Sequence, residues 1–336
     1  MVGKRLTYID ILKGFSILCI ALLHFEDGVF PLWLNLWMGN FMIAAFYFSS
    51  GWLFFVKDKP ISVKELCKKR WRSLGMPYLW FSLLIIVFDL LLLSVGYYDW
   101  NYILKEIYKT LTLRGIGTLW FLPALFGGEI IFVFLKNRKQ KWLWGFVLAT
   151  SLIYIHFYGY WTTHYRNLSI KYQLIDAPFF TLNNILKAFV LLLLGYLAHQ
   201  FHHKTIEKQD LQIKYLIGTV FIALSIYFGA FVPVELDVFS LFFTPLLAPY
   251  GLSLVAEGVN QSRIGRFLEY WGKNSLVLMA THYSFVLVLF QMLNQYIYGE
   301  TRLSGISSLV FFVIAILIEY LIVEVINKRF RFLLGK

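Results

Sequence analysis

The sequence predicts an all-α membrane protein of about ten transmembrane helices with both termini in the cytoplasm. Three observations carry that expectation. Of the 336 residues, 59% are hydrophobic and 15% charged, against roughly 25% charged in soluble domains. The apolar residues come in blocks of roughly 17 to 23, the length a helix needs to cross ~30 Å of hydrocarbon. The Lys and Arg residues gather on alternate connections, so the net charge of +12 marks sidedness rather than a polyanionic partner. Disorder, a disulfide scaffold and nucleic-acid binding are excluded together.

Read by apolar run and breaker, the spans fall at about 6–25, 37–56, 74–94, 117–135, 142–158, 183–199, 215–232, 238–256, 274–293 and 304–326. With the N-terminus inside, the inner segments carry Lys4 and Arg5 and most of the other Lys and Arg residues. These lie in 57–72, 136–141, 200–214, 257–273 and 327–336. The outer segments hold only Lys105, Lys109, Arg114, Arg166, Lys171 and Arg302. The positive-inside rule therefore puts both ends in the cytoplasm. The first span ends Leu23-His24-Phe25-Glu26-Asp27 without a small-residue cleavage site, and reads as a retained anchor. Aromatic clusters at Trp33/Trp37, Tyr97/Tyr98/Trp100 and Tyr158/Tyr160/Trp161 sit at outer span ends, where headgroups favour them. Cys19 and Cys67 fall on opposite sides, so neither a disulfide nor a zinc site is expected. The sequon Asn167-Leu168-Ser169 carries no weight, and there is no repeat of the kind that builds many transporters.

A charge near the bilayer centre costs at least ~2.5–3.5 kcal/mol, so each ionisable residue in a span needs a partner or a task. The set is Asp10, Lys13, His24, Asp89, Glu129, Lys187, His282, Glu319 and Glu324. At about 100° per residue, Asp10, Lys13 and His24 share one narrow helical face, with Lys13 and His24 about 16 Å apart along the axis. Such a stripe suits a reaction whose two substrates arrive from opposite sides. It equally suits an inner ion pair and an outer snorkelling histidine. The inner loop bearing Lys64, Lys68, Lys69, Arg70 and Arg72 suits phosphate binding as well as ordinary sidedness. The string Thr118-Leu119-Trp120-Phe121-Leu122-Pro123 begins the fourth span, with Glu129 two turns deeper. Asn274 or Ser275 is expected to cap the ninth span ahead of His282.

The strings Tyr8-Ile9-Asp10-Ile11-Leu12-Lys13-Gly14 with His24, Phe46-Tyr47-Phe48-Ser49-Ser50-Gly51, Arg72 through Pro77-Tyr78, Leu119-Trp120-Phe121-Leu122 and Gly272-Lys273-Asn274-Ser275-Leu276 with His282 follow one another along the chain. Together they resemble the integral-membrane acyltransferase-3 family, and within it the group similar to fucose 4-O-acetylases. Two departures stand out: Lys13 where the family more often has Arg ten positions before His24, and Ser49 where Leu or Ile is commoner. The resemblance implies a single transmembrane acyltransferase domain over 1–336. It implies transfer of an acyl group, usually acetyl, from cytoplasmic acetyl-CoA to a hydroxyl of a cell-envelope or secreted glycan or a lipid-linked sugar. The donor is then a substrate, with no permanently bound cofactor, and the bacterial inner membrane is the expected location. A homo-oligomer stays open.

On that resemblance, His24 is the expected base, assisted by Asp10 and Lys13. Lys13, with Lys69, Arg70 and Arg72, would receive the CoA phosphates. Trp120, Glu129 and His282 would border the acceptor or support the site from behind. The outer loop 159–182, with Trp161, His164, Tyr165 and Arg166, would offer aromatic faces to a sugar. Two other classes compete: a transporter or flippase, which would release no CoA, and a scaffold, in which Lys13, His24 and Glu129 would each be dispensable.

Overall fold

The structure, a computed structural model, describes residues 6–25, 28–57, 60–138, 140–165, 170–232, 242–301, 303 and 305–336. Those residues contain helices and no strand. In order they are α1 (Thr7–Phe25), α2 (Leu32–Phe41), α3 (Ala44–Lys57), α4 (Val63–Arg70), α5 (Met76–Ser94), α6 (Trp100–Leu111), α7 (Phe121–Lys136), α8 (Lys141–Tyr165), α9 (Ile170–Phe201), α10 (Leu211–Ala230), α11 (Thr244–Val259), α12 (Arg263–Lys273), α13 (Ser275–Thr281), α14 (Val288–Tyr298) and α15 (Gly305–Arg329). Nine helical stretches among the described residues are long and apolar enough to cross a membrane, which makes this a multi-pass membrane protein.

The apolar blocks are where they were expected, but several ends differ for physical reasons. The expected eighth span, 238–256, corresponds to α11, of 16 residues; residues 233–241 lie outside the described set. The second span starts earlier and is broken into α2 and α3 around Met42 and Ile43. Trp37 is not an interface residue: it is 7% exposed and its indole donates to Ser225 Oγ at 2.9 Å.

The basic segment expected as a loop is in fact helical. Ser62 caps α4 through a reciprocal box with Glu65, and the helix-favouring run Val63–Arg70 continues through a π-helical turn, Trp71–Gly75, into α5. The segment expected as an outer loop, 159–182, likewise belongs to α8 as far as Tyr165 and to α9 from Ile170. A single Pro178 does not stop α9, and the buried Asp176 there accepts from Tyr158 at 2.9 Å and lies 3.4 Å from Arg114. Lys4, Arg5, Glu26, Asp27, Arg166, Asn167 and Arg302, and the side chains of Tyr165 and Lys171, lie outside the described set.

By contacts the chain forms two compact units, with boundaries inside α9 and α15. The first comprises residues 1–58 and 191–324. Its organising feature is backbone-to-backbone packing through small residues, the usual solution where lipid removes the hydrophobic drive between helices. A Cβ on Gly14 of α1 would run into the Leu268 carbonyl of α12, and one on Gly272 would run into the Asp10 carbonyl. Gly51 of α3 and Gly195 of α9 meet in the same way, against the Leu192 and Phe48 carbonyls. Around these crossings Ile9, Leu12, Phe48, Trp52, Tyr250 and Leu254 form one apolar cluster. Phe25, Val286, Leu287, Phe290 and Ala315 form another at the far end of α1.

The second unit comprises residues 59–190 and 325–336. Tyr78 of α5 donates to the Thr110 carbonyl at 2.8 Å, and Thr181 of α9 to the Thr112 carbonyl at 3.1 Å. Gly128 lets α7 close on Ala188 of α9. The chain's last turn, Arg331–Leu334, returns to α5, where Phe332 meets Trp80 edge to face at 5.3 Å.

Candidate active site

In the first unit, α1 supplies three of the expected residues and α13 leads directly to a fourth. Asp10 is 3% exposed and sits 2.8 Å from Lys13 one turn along, so a carboxylate that would be costly alone is neutralised within its own helix. Three turns beyond Lys13, at the C-terminal end of α1, stands His24. Its Nδ1 is 3.0 Å from Nε2 of His282, which is 1% exposed and 258 positions away in the chain. The ring of Tyr283 meets His24 edge-on at 4.8 Å.

The hydrogen bonds around this histidine pair fix its protons. Nδ1 of His282 lies 2.6 Å from the Leu278 carbonyl. A carbonyl only accepts, so the hydrogen of His282 is on Nδ1 and its Nε2 carries a lone pair. That lone pair faces Nδ1 of His24, so the His24 hydrogen is on Nδ1 and donates to His282, with the Ile20 carbonyl one turn back as a second acceptor for the ring. The remaining nitrogen of His24, Nε2, is then unprotonated. The two rings form a relay of donors that ends on a backbone carbonyl and begins on a free imidazole base.

The helix that carries His282 departs from α geometry at that residue. Thr281 has φ −109°, ψ −37°, and residues His282–Leu287 form a π-helical turn between α13 and α14. Such turns are uncommon and recur at functional sites. Asn274 stands at the start of α13 as expected but makes no side-chain cap there; its amide instead donates to the Tyr270 carbonyl at 2.9 Å, closing the end of α12. Tyr270 itself donates to Glu324 at 3.1 Å. Burial, and behind it that carboxylate, pushes the Tyr270 phenol above its ordinary value, so it remains a donor.

The other expected residues belong to the second unit. Glu129 of α7 is fully buried and accepts two bonds from the Arg70 guanidinium, one from Nε and one from Nη2 at 2.6 Å. Lys69 follows on α4 and Arg72 on the π turn, and both side chains are exposed along with Lys64 and Lys68. Trp120 is half-buried and packs edge-on against Phe180, over which Arg114 also lies. Trp161 lines a cavity of about 510 Å³ between α8 and α9 with Tyr154, Phe157, Tyr158 and Phe179. Among the described residues, no three of His, Cys, Asp and Glu converge as metal ligands. Both cysteines are free thiols.

Sequence reasoning did not foresee that His282 touches His24 directly. Its neighbour Thr281 and the Glu319 that Thr281 meets carried no role at all. Glu319 was visible as a carboxylate in an apolar run, but nothing in one sequence ties it to position 281.

Fold and site thus define a polytopic helical membrane protein with an ion-paired lysine near one end of its first helix and a hydrogen-bonded histidine pair at the other. Residues 6–324 match the acyltransferase domain family Acyl_transf_3, and the chain belongs to that family. No curated protein and no solved structure matches it.

Proposed function

We propose that this membrane acyltransferase moves an acyl group, acetyl in the first instance, from cytoplasmic acetyl-CoA to a hydroxyl of a cell-envelope or secreted glycan, as in the fucose 4-O-acetylase-like branch. The observation that carries the chemistry is the free Nε2 of His24, set by the bond from its Nδ1 to His282. That lone pair takes the proton of the acceptor hydroxyl as the oxygen attacks the thioester carbonyl. The C–O bond forms, the C–S bond breaks, and the imidazolium returns the proton to the departing thiolate. A route through an acyl-histidine would use the same nitrogen as nucleophile. His282 keeps the ring in the productive tautomer; Lys13, held by Asp10, and, on the other unit, Lys69 and Arg72 are each cations suited to the donor's phosphates. Arg70, committed to Glu129, holds the segment that bears them. Both termini in the cytoplasm and the bacterial inner membrane belong to this reading.

The test is CoA release and label transfer from radiolabelled acetyl-CoA in inverted vesicles that retain native glycan. Wild-type protein should transfer label and His24→Ala should not, with both variants monodisperse in detergent. Transfer by His24→Ala would remove His24 from the mechanism. Glycan movement without CoA release from any acyl donor would favour the transporter.

A further inference from the structure

Glu319 of α15 is 0% exposed, and its Oε2 lies 2.6 Å from the hydroxyl of Thr281, the residue before His282. The same hydroxyl lies 2.8 Å from the Val277 carbonyl. A threonine hydroxyl has one hydrogen. With an ionised Glu319 the Val277 carbonyl and the carboxylate would compete for that one hydrogen; both contacts are full hydrogen bonds only when Thr281 donates to Val277 and a glutamic acid donates to Thr281. The other oxygen, Oε1, is buried and meets no hydrogen-bond partner among the described residues. An orphaned carbonyl-like oxygen costs far less in an apolar interior than an orphaned half of an anion.

We propose that Glu319 is a positioning residue, a neutral carboxylic acid that clamps Thr281 and thereby fixes the α-to-π junction from which His282 is aimed at His24. Two donor chains then end side by side on one turn of α13: Glu319 through Thr281 to the Val277 carbonyl, and His24 through His282 to the Leu278 carbonyl. Thr281 is pulled between Val277 and α15, and its φ of −109° marks where the helix widens. The widened turn sets the angle at which the His282 ring leaves the helix. The catalytic consequence rests on the proposed role of His24; the protonation state and the clamp do not.

The experiment compares wild type with Glu319→Gln and Glu319→Leu. The infrared difference between wild type and Glu319→Gln at neutral pH should show the carbonyl stretch of a protonated carboxylic acid. The Gln variant, whose amide can donate to Thr281 in the same way, should keep kcat within about threefold. The Leu variant should lose up to about 100-fold in kcat with the donor KM unchanged, the effect of a misaimed group rather than of lost binding. Its His282 ¹⁵N resonances should also shift away from those of wild type. Absence of the protonated-acid band would overturn the proposal, as would a Gln variant as impaired as Leu. If no variant, wild type included, transfers acyl groups, the band and the ¹⁵N shift still decide the clamp while the activity reading fails. Should Glu319→Leu not fold, Thr281→Val takes its place, with Thr281→Ser expected to behave as wild type.

Discussion

Replacing His282 by Phe keeps a flat ring of similar size but removes the side-chain acceptor for the His24 Nδ1 hydrogen, leaving the Ile20 carbonyl. The bond lost is one of 3.0 Å between neutral rings, which contributes about 1 kcal/mol net. At about 1.4 kcal/mol per decade that is roughly a fivefold loss of the productive tautomer. Freedom of the His24 ring to flip adds a factor of about two, so kcat should fall roughly tenfold with the donor KM unchanged. Removing the proposed base, in His24→Ala, should cost about 10²–10⁴. Because the two act as one unit, the double variant should be no worse than His24→Ala alone. His282→Gln, which places an acceptor oxygen where Nε2 was, should recover most of the loss. Initial rates of CoA release in vesicles, with protein amount matched by tryptophan fluorescence, give all four numbers. A His282→Phe loss as large as that of His24→Ala would mean that His282 performs chemistry itself. A loss under about twofold would mean that the pair does not set the tautomer.

Ala at Gly14 or Gly272 drives a methyl into backbone rather than a yielding side chain, and each should destabilise the protein by about 1–3 kcal/mol. Gly39→Ala, with nothing within 4 Å, should be neutral or slightly stabilising; thermal unfolding in detergent compares them. Arg70→Ala strips two guanidinium bonds from a fully buried carboxylate and should cost about 3–5 kcal/mol, whereas Arg70→Met with Glu129→Leu should recover most of it in the same assay. Lys69→Ala and Arg72→Ala should each raise the KM for acetyl-CoA about tenfold and leave kcat nearly unchanged, the size of one lost charge-assisted bond. An equal effect with a pantetheine thioester lacking the nucleotide would show that they do not read its phosphates.

Much of the fold was legible because lipid leaves a coarse signature: an apolar run of about 20 residues has few alternatives. Where the reading slipped, amphiphilic residues were at fault. Tyr, Trp and Thr in 159–182 read as interface and loop, yet they continue α8 and α9 around the buried Asp176. Lys64 through Arg72 read as a charged loop, although lysine and arginine are good helix formers and Ser62 with Glu65 is a start signal. The polar face of α1 was legible from helical period alone, and Asp10 does meet Lys13 on it. The partner of His24 was not, because a contact across 258 positions leaves no mark in one sequence. The glycines of the recognised strings entered only as a resemblance, and packing supplies their reason.

The crossing of α1 and α12 at Gly14 and Gly272 has a metrological side. From Gly272 the chain needs only about three turns to reach His282, and from Gly14 the same length of α1 reaches His24. The two arms of the histidine pair therefore start from one shared datum and run out over nearly equal distances. A slip of one residue at the crossing would displace one ring by about 1.5 Å and turn it by about 100°, ending the hydrogen bond outright. Two residues without side chains, some 15 Å from the histidine pair, thus set its tolerance.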